Sequence, residues 1–103
     1  MKILTVNDRN YLVKLRLENG VCNIFHPKKF VECNEVVFYV ISTLNEYGAN
    51  DGIEKMVNDY KEDSEQVVQD LKSLSSQFIK NDVLTEMFKA VLKIIEDNYD
   101  NLS

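Results

Sequence analysis

Two periodicities divide the chain. Tyr11-Leu12-Val13-Lys14-Leu15-Arg16-Leu17-Glu18 alternates, placing Val13, Leu15 and Leu17 on one face, the period of two expected of a half-buried strand. Asn19-Gly20 follows, a strong two-residue hairpin signal because both residues tolerate positive φ. Val21-Cys22-Asn23-Ile24-Phe25 then reads as the returning strand. His26-Pro27-Lys28-Lys29 makes a second turn, and Phe30-Val31-Glu32-Cys33 a short third strand. Ile3 to Val6 is a weaker candidate for a further strand.

From residue 34 onward the spacing becomes helical. Asn34 is placed to cap a first helix, with Glu35 favourable in its first turn. Its stripe is Val37, Val40, Ile41 and Leu44, ending at Tyr47-Gly48. Asn50 or Asp51 opens a second helix carrying Ile53, Met56, Val57 and Tyr60 at positions i, i+3, i+4 and i+7. Asp63 and Gln66 have the spacing of a capping box for a third helix. That helix carries Val67, Leu71, Leu74 and Phe78, with Val68 and Ile79 on one flank, and ends at Asn81-Asp82. Thr85 caps a fourth helix reaching about Tyr99, with Phe88, Val91, Leu92, Ile95 and Tyr99 inward. The expected fold is α+β: a three-stranded antiparallel sheet, three helices and an extra C-terminal helix, arranged in a winged helix-turn-helix manner. Residues 1–103 form one domain, without internal repeats or a linker.

Composition narrows the function. With 45% apolar and 28% charged residues the chain is of ordinary globular type. No apolar run is long enough to span a bilayer, and the N-terminal stretch lacks the length of a signal peptide, so a cytoplasmic protein with no membrane partner is expected. Cys22 and Cys33 fit no zinc spacing and read as free thiols. The net charge of -5 is uneven: residues 1–31 carry +4 and residues 32–103 carry -9.

No catalytic constellation emerges, so no enzyme activity and no cofactor or metal is expected. His26, the one histidine, sits in a turn beside Pro27 with no nucleophile or orienting acid nominated for it. It reads as a surface-turn residue. The three glycines form no phosphate-cradling loop. Nucleic-acid binding is disfavoured. The third helix, which would enter the major groove in such a fold, balances Glu65 and Asp70 against Lys72 and Lys80 and has no Arg. Gln66, Gln69 and Gln77 lack accompanying phosphate anchors.

What remains is the edge of the third strand. Lys28 and Lys29 stand at its head. Either they only discourage aggregation, or the edge accepts an incoming strand. Composition leaves both readings open.

The stretch Val21 to Leu84 resembles the PqqD-like domains, the recognition elements of ribosomally made, post-translationally modified peptides. The resemblance runs through Phe30-Val31-Glu32-Cys33-Asn34-Glu35, then Val40-Ile41, Leu44 and Gly48. It continues through Ile53-Glu54-Lys55-Met56-Val57, Asp63-Ser64-Glu65-Gln66-Val67, Asp70-Leu71, Leu74, Phe78 and Val83-Leu84. Asn81-Asp82 stands where the family usually has Gly. The resemblance implies a domain with no activity of its own. Such a domain holds the leader segment of a precursor peptide as an added strand antiparallel to the third strand, in the groove beside the third helix. It presents the peptide to a maturation enzyme, often a radical-SAM protein. Carried over, the binding residues are Lys28, Lys29, Phe30, Val31 and Glu32 from the strand, with Val67, Asp70, Leu71, Lys72 and Leu74 from the helix. A winged-helix DNA-binding protein and a structural subunit without a peptide ligand are the alternatives. The C-terminal extension, residues 85–103, lies beyond the family core. Its apolar band, including Met87, Phe88, Val91, Leu92, Ile94, Ile95 and Tyr99, is broad for one packing surface. An interface is therefore expected over residues 86–99, in a homodimer or with the maturation enzyme.

Overall fold

The computed structural model describes residues 1–99; the last residues of the expected extension, 100–103, lie outside the described residues. The fold is α+β, an antiparallel sheet followed by helices. The sheet has four strands rather than three, in the order β1 (Lys2–Asp8), β2 (Tyr11–Glu18), β3 (Val21–His26) and β4 (Lys29–Asn34). Ile3 to Val6 belongs to a full strand because it pairs in register with β2 from Lys2↔Leu17 to Asp8↔Tyr11. That match buries Val6 beside Val13 and half-buries Leu4. Its sequence signal is weak because Ile3 lies on the outer, solvent-facing side.

One face of the sheet supplies Val6, Val13, Leu15, Cys22 and Ile24 to the core. The helices cover that face. α1 (Glu35–Asp59) starts at Asn34, whose Oδ1 accepts a hydrogen bond from the Val37 N–H at 3.3 Å. The two helices expected over residues 35–60 form this one element, broken at Gly48, where φ is 82° and ψ 173°. That positive φ suits glycine. Gly52 lets the second half close onto the first, since a Cβ there would lie 3.3 Å from Leu44 Cα.

α2 (Ser64–Lys80) follows a short 3-10 turn, Lys61–Asp63. The expected capping box does not form. Asp63 makes no side-chain cap, and Gln66 donates to Asp70 Oδ1 at 2.9 Å instead. The buried line of α2 is Val68, Leu71, Ser75 and Phe78, with Val67, Leu74 and Ile79 half-buried at its sides. Its C-terminus closes as a Schellman motif, Asp82 N–H to Ile79 C=O and Val83 N–H to Phe78 C=O, with Asp82 left-handed at φ 55°. Asp82, not Asn81, takes the left-handed position.

α3 (Thr85–Asn98) is preceded by Leu84, also left-handed at φ 51°. Thr85 is its first residue, not its cap, and its hydroxyl donates to Asp82 Oδ1. Phe88, Val91 and Ile95 are fully buried, and the Phe88 ring meets that of Phe78 at 4.7 Å. Met87, Leu92, Ile94 and Tyr99 are half-buried, so no large apolar side chain of α3 stands exposed among the described residues. α3 packs against α2, α1 and β1, with Met87, Ile94 and Tyr99 against the margin of the core. No helix among the described residues is long and apolar enough to cross a membrane.

Candidate functional site

Among the described residues the outer edge of β4 is unpaired within the sheet, since β4 hydrogen-bonds there only to β3. Which of its backbone groups face outward follows from the hairpins. Asn19 and Gly20 both have positive φ, at 54° and 76°, as in a type I′ turn. In such a turn the flanking residues, Glu18 and Val21, form a hydrogen-bonded pair. Alternation then turns the backbone groups of Asn23 and Phe25 toward β2, and those of Cys22, Ile24 and His26 toward β4. Their partners Cys33, Val31 and Lys29 bond back to β3. Phe30 and Glu32 therefore offer their N–H and C=O groups at the open edge, and Asn34 its N–H alone, since its C=O accepts the first hydrogen bond of α1.

A cleft of about 360 Å³ runs along this edge. Val31, Glu32, Cys33 and Asn34 line one side, Leu74, Gln77, Phe78 and Asn81 of α2 and its end line the other, and Val37 and Val83 complete it. A second cleft, about 900 Å³, lies between α1 and α2 and includes Val67, Asp70, Leu71 and Leu74. The two clefts share Asn34, Val37 and Leu74. They meet at the C-terminal end of β4.

The sequence-derived residues thus separate into groups. Val31, Glu32 and Leu74 line the strand-side cleft; Val67, Asp70, Leu71 and Leu74 line the other. Phe30 projects from the outer face of the sheet, against Phe25 at 5.3 Å, and contributes only its backbone to the edge. Lys72 is half-buried and lines neither cleft. At the head of β4, Lys28 lies over the Tyr11 ring at 5.3 Å and Lys29 Nζ donates to the Asn81 carbonyl. Sequence reasoning missed Cys33, Asn34, Val37, Gln77, Phe78, Asn81 and Val83. Leu74, Gln77 and Asn81 fall at helical spacing on one flank of α2, but the polar pair among them looks like a solvated face.

His26 is buried rather than on the surface, because β1 brings Asp8 beneath it. Its Nε2 lies 3.3 Å from Asp8 Oδ2, with both side chains almost wholly enclosed, and its Nδ1 accepts from the Lys28 N–H. Asp8 Oδ2 also accepts the Leu84 N–H at 2.9 Å. Arg9 adds a 2.6 Å bond to Asp82 Oδ1. The Thr85 hydroxyl and then Arg9 hold the Asp82 carboxyl below the usual carboxylate range. This junction fixes the α2–α3 loop, which carries Asn81 and Val83, to the sheet. Asp8→Ala leaves the buried Leu84 N–H without its acceptor, and we expect it to cost about 1–3 kcal/mol in urea unfolding. A loss below about 0.5 kcal/mol would show that the junction does not hold the loop.

Cys22 and Cys33 are opposed across β3 and β4 as free thiols. Burial, and then the neighbouring Cys33, pushes the Cys22 thiol up to about 11; burial and then Glu32 raise that of Cys33. Both are held as protonated, unreactive thiols at neutral pH. Among the described residues no cluster of three or more His, Cys, Asp or Glu is placed to hold a metal ion.

No family model, curated protein or solved structure matches this chain.

Proposed function

We propose that this chain is a leader-peptide-binding module of the PqqD-like kind, holding a segment of a ribosomally made precursor for its maturation enzyme. The carrying observation is the six-residue edge strand β4, unpaired along its outer side and bordered there by the α2 cleft. The winged helix-turn-helix comparison applies to this part: α1 with its break, α2 and the sheet. An added strand exchanges backbone bonds with Phe30 and Glu32 and meets the Asn34 N–H, each bond worth roughly 0.5–1.5 kcal/mol net. One or two apolar side chains in the cleft add about 1.5–3 kcal/mol apiece. After ordering costs, micromolar affinity results, about -8 kcal/mol. DNA binding is not favoured, because α2 offers no Arg and balanced charge.

The test is a titration of isotope-labelled protein with the leader segment of the precursor encoded beside its gene. Amide shifts should change along Lys29–Asn34 and along residues 74–83, with saturation at micromolar peptide. Shifts confined to α1 and α3, or none at millimolar peptide, would refute the reading.

A further inference from the structure

An antiparallel sheet covered on one side only has a buried face and a solvated one, and the solvated face is ordinarily polar. Here the helices cover the inner face, yet the outer face carries Ile3, Leu12, Phe25 and Phe30, which are 53, 67, 38 and 57% exposed. Among the described residues these are half of the large apolar side chains left exposed. A patch of this kind marks an interface. The strand register fixes where its charges stand. Lys14, Phe25 and Phe30 lie in one row across β2, β3 and β4, and Arg16, Asn23 and Glu32 lie in the next. β2 and β4 flank β3 on its two sides, so Arg16 and Glu32, opposite in sign, each stand one strand away from it. Arg16 lies over the Phe25 ring at 5.5 Å, and its ion pair to Glu18 is long, at 3.9 Å.

We infer that this outer face binds a second copy of the chain, sheet against sheet, with a two-fold axis lying along β3 between the copies. That axis lays β2 of one copy over β4 of the other. Arg16 then meets Glu32 of the second copy, twice by symmetry. Lys14 lies over the ring of the second copy's Phe30, and Phe25 meets Phe25. Stacked sheets sit about 10 Å apart with their side chains interdigitating, within the reach of Arg and Glu. The other face-to-face arrangement has its axis across the strands. It lays β2 on β2 and sets Lys14 and Arg16 against their own kind, so charge selects the first. A phosphate backbone is not selected, because Glu18 and Glu32 offset Lys14 and Arg16 on this face. Four strands about 4.8 Å apart and about 20 Å long present roughly 400 Å² of face. That is about half of what each partner buries in a standard interface, so the pair is weak and reversible, with a dissociation constant on the order of 10–100 µM. The open edge of β4 stays at the side of the pair, and the inference does not depend on what that edge binds.

Sedimentation equilibrium of the full chain, from micromolar to near-millimolar concentration, should show a monomer–dimer equilibrium. Arg16→Glu and Glu32→Arg should each weaken it about tenfold at low salt, because each sets like charges together in two places. Within one copy these residues stand two strands apart, about 10 Å. The double exchange, Arg16→Glu with Glu32→Arg, should therefore restore association to within a few-fold through the pairing between copies. Far-UV dichroism and melting curves establish that the variants are folded. Should one not fold, isotope-labelled unaltered chain decides: dilution should move amide shifts in β2, β3 and β4 and leave those of α3 in place. A chain that stays monomeric at near-millimolar concentration overturns the inference. So do single reversals that leave association unchanged, a double exchange that fails to restore it, or dilution shifts confined to α3. Binding of labelled oligothymidylate by a monomeric chain, lost in Phe30→Ala, overturns it in favour of a stacking platform for single-stranded nucleic acid.

Discussion

Truncation after Leu84 will leave a chain that no longer unfolds cooperatively. The deletion removes Phe88, Val91 and Ile95, all fully buried, and with them the partner of the Phe78 ring. Losing an enclosed Phe side chain alone costs about 3–5 kcal/mol, against a total stability of about 5–15 kcal/mol for a small domain. It also uncovers Val83 and Leu84, and frees the left-handed Leu84 from the element that follows it. The sequence alone argued for an interface, because the apolar band of this helix is wide. α1, α2 and β1 together enclose its centre, Phe88, Val91 and Ile95, and half-bury its flanks. Thermal unfolding of residues 1–84, followed by near-UV dichroism, checks the point. A sharp transition with retained peptide binding would return α3 to the role of a detachable interface helix. Sedimentation of the intact chain at micromolar concentration is the companion measurement: self-association that survives substitution of exposed Phe25 and Phe30 on the outer sheet face, and is lost on substitution in α3, would restore the interface reading of that helix.

The hairpins were legible because local chemistry decides them. Asn19-Gly20 sets a two-residue turn, and the Val13-Leu15-Leu17 alternation sets which face is inward. Asn34 was legible as a cap for the same reason. Elsewhere, residues far apart in sequence settle the outcome. β1 is a strand because β2 is there to pair with it. His26 looked like a turn residue, yet Asp8, from a strand two places away, turns it into half of an enclosed polar pair. In α2, Ser75 hid the true core line: a polar residue in the Val68–Leu71–Ser75–Phe78 row shifts the apparent stripe toward Val67 and Leu74. That shift is also why the helical half of the candidate site divides between two clefts, and why Gln77 and Asn81 were not assigned to it. On the strand only Val31 and Glu32 line a cleft, but the open edge itself was legible, because an edge is defined by where pairing stops, and the last strand of a meander is such a place.

Glu32→Pro should abolish strand capture while sparing the fold. The hydrogen-bond alternation places the Glu32 N–H at the open edge, where β3 makes no use of it. Proline is tolerated on an edge strand when its missing donor faces outward. The substitution deletes one donor to the incoming strand and leaves the carbonyl it would have met unpaired. Together these effects cost about 2–4 kcal/mol, or roughly 30-fold to several hundredfold in affinity. Two controls separate backbone from side chain. Glu32→Ala keeps the donor and should bind within a few-fold of the unaltered protein. Val31→Pro removes a donor that the alternation assigns to the Ile24–Val31 pair of the sheet itself. It should therefore lower stability by about 3 kcal/mol before binding is even measured. Calorimetric titration of the leader peptide into each folded variant gives the comparison. If Glu32→Pro binds as tightly as Glu32→Ala, the peptide does not pair with β4, and the groove works through its side chains alone or not at all.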